Sequence, residues 1–368
     1  MHFSPASATS IDLCVRELAG ASRHRKTTKI VVEHPPPHFC SFDVLTLGGG
    51  RRHSTRKKAK LIRRLLQQLD EIDVIVVEQH LPTASAIAAM TQLPVVLHTH
   101  NYQRSYGNSF GAQLRRLLRL HRYARLAGIV HVSKSCCEYF AQHWPDVKVP
   151  QTVIYNGIDT TRWRPAIARS DEILCVARNA PEKGVLEVAT ALAAVLQQRQ
   201  HWRARFVLSE FDRNPDYNAR VLQELAPVRD RTTIETDKTF EHVKLCYERA
   251  AIAIIASKWQ EPFGRTCLEA HAGGCAVISS GTGGLSEISG PSAHYLQDGH
   301  PNEIAEACLG LIDNGARRQE LAMAGLQEAQ RFDLSQLASQ LDDFLARVVQ
   351  TKGDGTMPPI EGRSFVHA

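Results

Sequence analysis

No uncharged apolar run in this chain approaches 18 residues, so no membrane-spanning helix is expected. The opening Met1-His2-Phe3-Ser4-Pro5 offers no apolar stretch of the kind a signal peptide carries. The nine cysteines include no Cys-x-x-Cys pair and no metal-ligand spacing, which argues against a zinc module or a dithiol redox centre. Several lie inside apolar runs, as Cys175 does in Ile173-Leu174-Cys175-Val176, the pattern of buried, reduced thiols in a cytoplasmic protein. No Asp-x-Asp triplet and no ligand cluster stands out along the chain, so no metal is expected. No aromatic RNA-binding signature accompanies the arginines, and no nucleic-acid partner is expected either.

What is present is a globular composition, 43% hydrophobic and 22% charged over 368 residues, enough for two domains of ordinary size. The formal charge of +6 hides an uneven distribution. Residues 1–150 carry 21 Lys and Arg against 10 Asp and Glu, a net of +11, which leaves −5 on residues 151–368. A basic half joined to a mildly acidic half suggests one surface that meets anions.

Short apolar runs alternate with longer helical patterns. Strands are predicted at 29–33, 73–77, 95–98 and 129–132, with helices near 56–69, 82–90, 109–127 and 134–142. The second half repeats the scheme, with strands at 173–177, 205–209, 252–256 and 276–279. Its helices fall near 184–199, 216–226, 240–249, 264–273, 301–313 and 317–331. Alternation of this kind, with continuously apolar strands, marks a parallel α/β sheet covered on both faces. It occurs twice. The fold class is therefore α/β, two doubly wound Rossmann-like domains, with ligands at the carboxyl ends of the strands and a cleft between them. The domains are placed at 1–160 and 161–333, with the polar stretch 157–171 as the boundary. A helix at 334–351 is expected to pack back on the first domain, and 352–368 to form a loose tail. Within that tail Ile360-Glu361-Gly362-Arg363 resembles a protease recognition sequence.

Three segments carry chemistry. In Ser257-Lys258-Trp259-Gln260-Glu261-Pro262-Phe263-Gly264-Arg265-Thr266-Cys267-Leu268-Glu269 two carboxylates stand eight apart around a predicted helix start. The spacing aims Glu261 and the N–H groups of Phe263 and Gly264 above the sheet, where a helix N-terminus attracts anions. Carboxylates there suit the hydroxyls of a sugar or ribose, although any such pair can also be plain helix-end charge. In Ala177-Arg178-Asn179-Ala180-Pro181-Glu182-Lys183-Gly184 a guanidinium and an ammonium flank a strand–loop–helix turn, a diphosphate clamp that needs no metal. Each cation alone would read as surface decoration. In Ser280-Gly281-Thr282-Gly283-Gly284-Leu285-Ser286-Glu287 glycines permit close backbone approach to a ligand.

In this order the three segments resemble glycosyltransferase family four, retaining enzymes of the GT-B fold. The matching features are Ala177-Arg178 with Pro181 to Gly184, the Glu261-x7-Glu269 block with Pro-Phe-Gly, and Gly283 to Glu287. Upstream, Asn156-Gly157-Ile158-Asp159 and Val132-Ser133 match as well, and the resemblance spans roughly 95–330. It implies a nucleoside-diphosphate-sugar donor, a UDP- or GDP-sugar, bound by the C-terminal domain without a further cofactor. Arg178 and Lys183 take the diphosphate, Glu261 the sugar hydroxyls and Glu269 the ribose. Backbone at Phe263, Gly264, Gly283, Gly284 and Leu285 lies near sugar and phosphates. A histidine after the Pro94-Val95-Val96 strand lies by the reacting sugar, and the matching position is His100, with His98 its neighbour.

The family's usual first strand and Gly-Gly loop are not matched at the N-terminus, where Ser10-Ile11-Asp12 reads as a loop, and the acceptor is left open. The acceptor class that the resemblance implies is a glycan or lipid-linked glycan, as in lipopolysaccharide or other envelope polysaccharide synthesis. Two basic segments, 51–66 and 115–122, are candidates to lie on an anionic membrane surface, with a solvated basic face as the plain alternative. The rival readings are a nucleotide-sugar epimerase or sugar phosphorylase on the same fold and, last, a non-enzymatic nucleic-acid binder.

Overall fold

The computed structural model describes residues 9–33, 41–48, 53–69, 72–107, 109–352 and 365–367. Met1–Pro5, Cys40, Arg51, Arg52 and the Ile360–Arg363 segment lie outside them. The chain divides into two compact units, one of residues 1–157 with 334–368 and one of residues 158–333.

The first unit runs α1 (Ser10–Ala21), β1 (Lys29–Val32), β2 (Asp43–Thr46), α2 (Thr55–Leu66), β3 (Val74–Glu78), α3 (Leu81–Ala88), β4 (Val95–Thr99), α4 (Phe110–Tyr123), β5 (Gly128–His131), α5 (Lys134–His143) and β6 (Gln151–Val153). The second runs β7 (Ser170–Arg178), α6 (Val185–Gln198), β8 (Arg203–Ser209), α7 (Pro215–Leu225), β9 (Thr232–Thr236), α8 (Phe240–Arg249), β10 (Ala250–Ile255), α9 (Arg265–Ala272), β11 (Ala276–Ser279), α10 (Gly284–Ser289), β12 (Ala293–Tyr295), α11 (Pro301–Asp313) and α12 (Gly315–Gln330). The chain then returns to the first unit with α13 (Leu334–Lys352) and β13 (Phe365–His367).

Both sheets are wholly parallel. Their strand orders are β2-β1-β13-β3-β4-β5-β6 and β12-β11-β10-β7-β8-β9, the doubly wound arrangement of the GT-B fold. The central strands are apolar on both faces because helices cover both. All of Val74–Glu78, Val95–Thr99 and Ala250–Ile255 is buried. α13 docks on α1, where Asp342 accepts hydrogen bonds from Ser22 Oγ (2.7 Å) and Arg23 N (3.0 Å).

Two sequence expectations are corrected. Ser10–Asp12 is the first turn of a helix rather than a loop. Thr9 and Asp12 form a reciprocal capping box, a signal that outweighs the run of small residues around it. The loose tail over 352–368 does not hold at Phe365–His367, which is a buried strand between β1 and β3. Three residues are too short for a periodicity signal. What selects them is the row of backbone partners that β1 and β3 both present to the gap between them.

The eight described cysteines are free, and burial pushes the thiols of Cys175, Cys267, Cys275 and Cys308 up to about 12, which makes them inert packing groups. Among the described residues no helix is long and apolar enough to cross a membrane.

Candidate active site

In the second unit the three sequence segments meet at the carboxyl ends of β7, β10 and β11. β7 ends at Arg178, and a single 3-10 turn over Pro181–Lys183 leads through Gly184 into α6. Gly184 has φ +69°, and a Cβ there would collide with the Ala256 carbonyl, so the turn requires glycine. The first and second segments are tied by backbone, Lys258 N donating to Glu182 O at 2.9 Å. The first and third are tied by a parallel bridge between Glu261 and Gly283, with Gly284 N donating to Glu261 O at 2.7 Å.

That scaffold fixes Glu261. Its Oε1 accepts from Lys183 Nζ at 2.5 Å and from Ser257 Oγ at 2.7 Å, and both side chains of the ion pair are mostly buried. Arg178, half exposed, pairs with Glu182 (2.7 Å) and lies 3.9 Å from Glu210. The two cations of the second segment thus take different carboxylates. Glu269 is buried one turn into α9, and Arg265 Nε donates to it at 2.7 Å. Arg265 also lies over the Phe240 ring at 5.6 Å, which places a cation beside the carboxylate in a dry setting. Gly264, at φ +101°, caps α9, and a Cβ on it would enter Leu285. Phe263 is buried edge-on against Phe332, and Gly284 leaves no room for a Cβ against the Phe263 backbone.

His100 lies in the first unit, just past β4. A single carboxylate organises its surroundings. Glu78 closes β3, and its register partner on β4 is His98. Glu78 Oε2 lies 2.7 Å from His100 Nε2 and 3.2 Å from His98 Nδ1, while Oε1 lies 2.9 Å from His367 Nδ1. Burial raises the Glu78 pKa. The charge of His98 and hydrogen bonds from His100, His367 and His98 outweigh that and hold it well below the usual carboxylate range. An ionised carboxylate only accepts, so the imidazole nitrogens that face it carry the protons. Burial lowers the pKa of His98. Gln79, with the left-handed φ of +63°, turns its Oε1 back to the backbone N–H groups of His100 (2.5 Å) and Asn101 (3.1 Å). A bulky residue held at positive φ is a strained position of the kind found at functional sites.

The fold also assembles ligand-type groups that spacing did not reveal. Among the described residues, Glu78–His98–His100 and Glu235–His242–Cys246 each bring metal-ligand atoms within 4.8 Å of one another. In the first, the Glu78 oxygens already serve three imidazoles. In the second, Glu235 takes Arg205 at 2.8 Å and His242 at 3.0 Å. Sequence reasoning missed Ser257, Arg265, Glu78, Gln79 and His367. Two of them carried a signal: Arg265 stands four residues before Glu269 on one helix, and Glu78 is a lone acid closing an apolar strand.

Comparison with known proteins places the whole chain in a family. Residues 13–162 match the model of "Glycosyltransferase Family 4", and residues 170–314 that of "Glycosyl transferases group 1". The chain belongs to glycosyltransferase family 4. It is an enzyme of the hexosyltransferase type, and nucleoside-diphosphate sugars are the donor class of this family. Among curated relatives, D-inositol 3-phosphate glycosyltransferase of Pseudarthrobacter chlorophenolicus is 26% identical over 95% of this chain and 94% of its own length. Glycogen synthase of Mycobacterium tuberculosis is 30% identical over 48% of this chain and 43% of its own. Among solved structures, sucrose-phosphate synthase of Thermosynechococcus elongatus superposes with a TM-score of 0.76 at 19% identity, covering 95% of this chain and 98% of that one. Anabaena HepE in complex with UDP and glucose superposes at 0.72 with 19% identity, covering 93% and 97%. These two likenesses establish a shared fold for the family 4 enzyme.

Proposed function

We propose that this glycosyltransferase moves a hexosyl group, with retention at the anomeric carbon and without a metal, from a nucleoside-diphosphate sugar to a glycan or lipid-linked acceptor. The observation that carries the reading is the Lys183–Glu261 pair, held by Ser257 against the Gly283 loop. A donor entering there exchanges the pair for two better-matched partners: Lys183 turns to the diphosphate and Glu261 to sugar hydroxyls. Arg178 adds a fork-shaped donor to the diphosphate, Glu269 takes the ribose, and the backbone of Phe263, Gly264 and Gly283–Leu285 lines the sugar and phosphates. As the diphosphate departs, negative charge grows on its oxygens beside two fixed cations, the largest electrostatic term available to the step. His100, held at Nε2 by Glu78, is given the role beside the reacting sugar. UDP is the favoured nucleotide, because HepE, a solved relative of the same fold, is described in complex with UDP and glucose. A thermal-shift panel of UDP-, GDP- and ADP-sugars tests the reading. Stabilisation by one nucleotide series is expected, and a flat response to all of them overturns it.

The acceptor is assigned to a membrane-bound envelope glycan such as lipopolysaccharide, and the enzyme to the cytoplasmic face. The support lies in α4. Of its apolar residues Phe110 (88% exposed), Leu114, Leu117 (63%) and Leu118 all point to solvent, interleaved with the exposed Arg115 and Arg122. A helix that shows both leucines and arginines outward fits an anionic lipid surface. The other basic segment differs: in α2, Ala59 and Ile62 are buried and only the cations face out, as in an ordinary solvated helix.

A further inference from the structure

The parallel sheet of the first unit is completed by the far end of the chain. β13 pairs with β1 through Lys29↔Val366 and Ile30↔His367. It pairs with β3 through Phe365↔Val74, Val366↔Ile75 and His367↔Val76. Side chains alternate along a strand, so Val76 and Glu78 share one face of β3, and His367 projects on that same face next to them. His98, opposite Glu78, and His100, two residues on, continue the row across β4. Three neighbouring strands thus deliver four polar side chains to one place at their carboxyl ends, all of them buried.

Within this row the bonds divide the carboxylate cleanly. Glu78 Oε2 is taken by His98 and His100, and Oε1 by His367 at 2.9 Å. A carboxylate rotates about its last torsion unless both oxygens are held, and broad, two-fold freedom is the ordinary state of that torsion. From this we infer that His367 is a positioning residue. By holding Oε1 of Glu78, it fixes the plane of the carboxylate and, through Oε2, the ring orientation and tautomer of His100. The inference rests on the role given to His100 above. The strand itself has a separate anchor: Phe365 packs its ring against His24 at a centroid distance of 4.3 Å and does not serve Glu78.

That separation supplies the control. His367→Leu keeps an apolar filler but removes the donor, His367→Gln restores a donor, and Phe365→Ala weakens the strand without touching the bond. Sugar transfer is measured with the full chain under the donor that gives the thermal shift. His367→Leu is expected to lower kcat about tenfold or more with donor KM within about twofold, in line with the loss of an oriented proton-handling group. His367→Gln recovers most of the loss, and Phe365→Ala lowers the melting temperature but not kcat. Wild-type kcat in His367→Leu overturns the inference. So does a kcat loss in Phe365→Ala equal to that in His367→Leu, since the strand alone would then explain it. A wild-type chain that transfers no sugar to any acceptor offered counts against the proposed function and not against this inference. Positioning is then read from histidine-selective ring NMR, where the His100 and His98 resonances move in His367→Leu and hold still in Phe365→Ala. Unmoved resonances in both variants overturn it.

Discussion

Lys183 Nζ lies 2.5 Å from Glu261 Oε1, although the two residues stand 78 positions apart and come from different strand–loop–helix turns. The pair makes each member the other's placeholder. Removing one therefore does more than delete a contact, because it withdraws this counter-charge from a largely buried group.

Lys183→Ala is expected to lower kcat/KM by about a hundredfold or more, the usual loss for one charge-stabilising group at an acyl or phosphoryl centre. Glu261→Gln keeps the hydrogen bonds from Lys183 and Ser257 in shape but takes the counter-charge from the mostly buried Lys183, so it should raise donor KM and also lower the melting temperature. Steady-state kinetics with parallel melting curves separate the two. Wild-type kinetics in Lys183→Ala would withdraw its role.

Gly264→Ala forces a side chain into φ +101° and into Leu285 at once. A cost of about 2 kcal/mol or more is expected, beyond the usual price of a misplaced glycine substitution. The melt should shift down, and donor-induced stabilisation should vanish in the part that still folds. An unchanged melt would mean that the loop relaxes freely.

Acid should destabilise both units through buried neutral histidines. Burial lowers His271, in the second unit, and His131, in the first, to about 4. The unfolded chain takes up these protons from pH 6.5 downward while the folded chain resists. Stability is therefore full above about pH 6.5 and falls toward pH 4, by about 3 kcal/mol per histidine over the whole window. Denaturant melts at pH 7.5 and 4.5 read the slope. His271→Gln should flatten it, and an equally steep slope in that variant would disprove the assignment.

Leu117→Ser with Leu118→Ser removes exposed apolar surface from α4 and nothing from the core. Flotation with phosphatidylglycerol vesicles should fall about tenfold or more at low salt, given the transfer free energy of two leucines. The melt should hold within about 0.5 kcal/mol. Equal flotation of variant and parent, or equal binding to phosphatidylcholine, counts against a lipid-facing helix.

The sequence was most legible where a long element carried a clear period. The predicted strands at 252–256 and 276–279 coincide closely with β10 and β11, and three motifs were enough to point to the family. Short edge strands such as β2, β6 and β12 left no usable signal, because they are partly exposed and lack the continuous apolar run that marks equally short buried strands such as β11. Site geometry was legible in kind but not in partnership. Lys183 and Glu261 were both singled out, yet their bond depends on how two loops are stapled by Gly184 and Gly283. The Glu78–His367 contact spans 289 positions and was invisible for the same reason.

The position of β13 also bears on the order in which the protein is made. The second unit is one continuous stretch, 158–333, and has all its strands once residue 333 has left the ribosome. The first unit, begun earlier, lacks a strand from the middle of its sheet until residue 367 emerges. Until then β1 and β3 face each other across an open slot of unpaired backbone. The nascent chain is thus expected to fold back to front, the later-synthesised unit first. During that interval the open slot is where a stray strand from a neighbouring chain would do most harm.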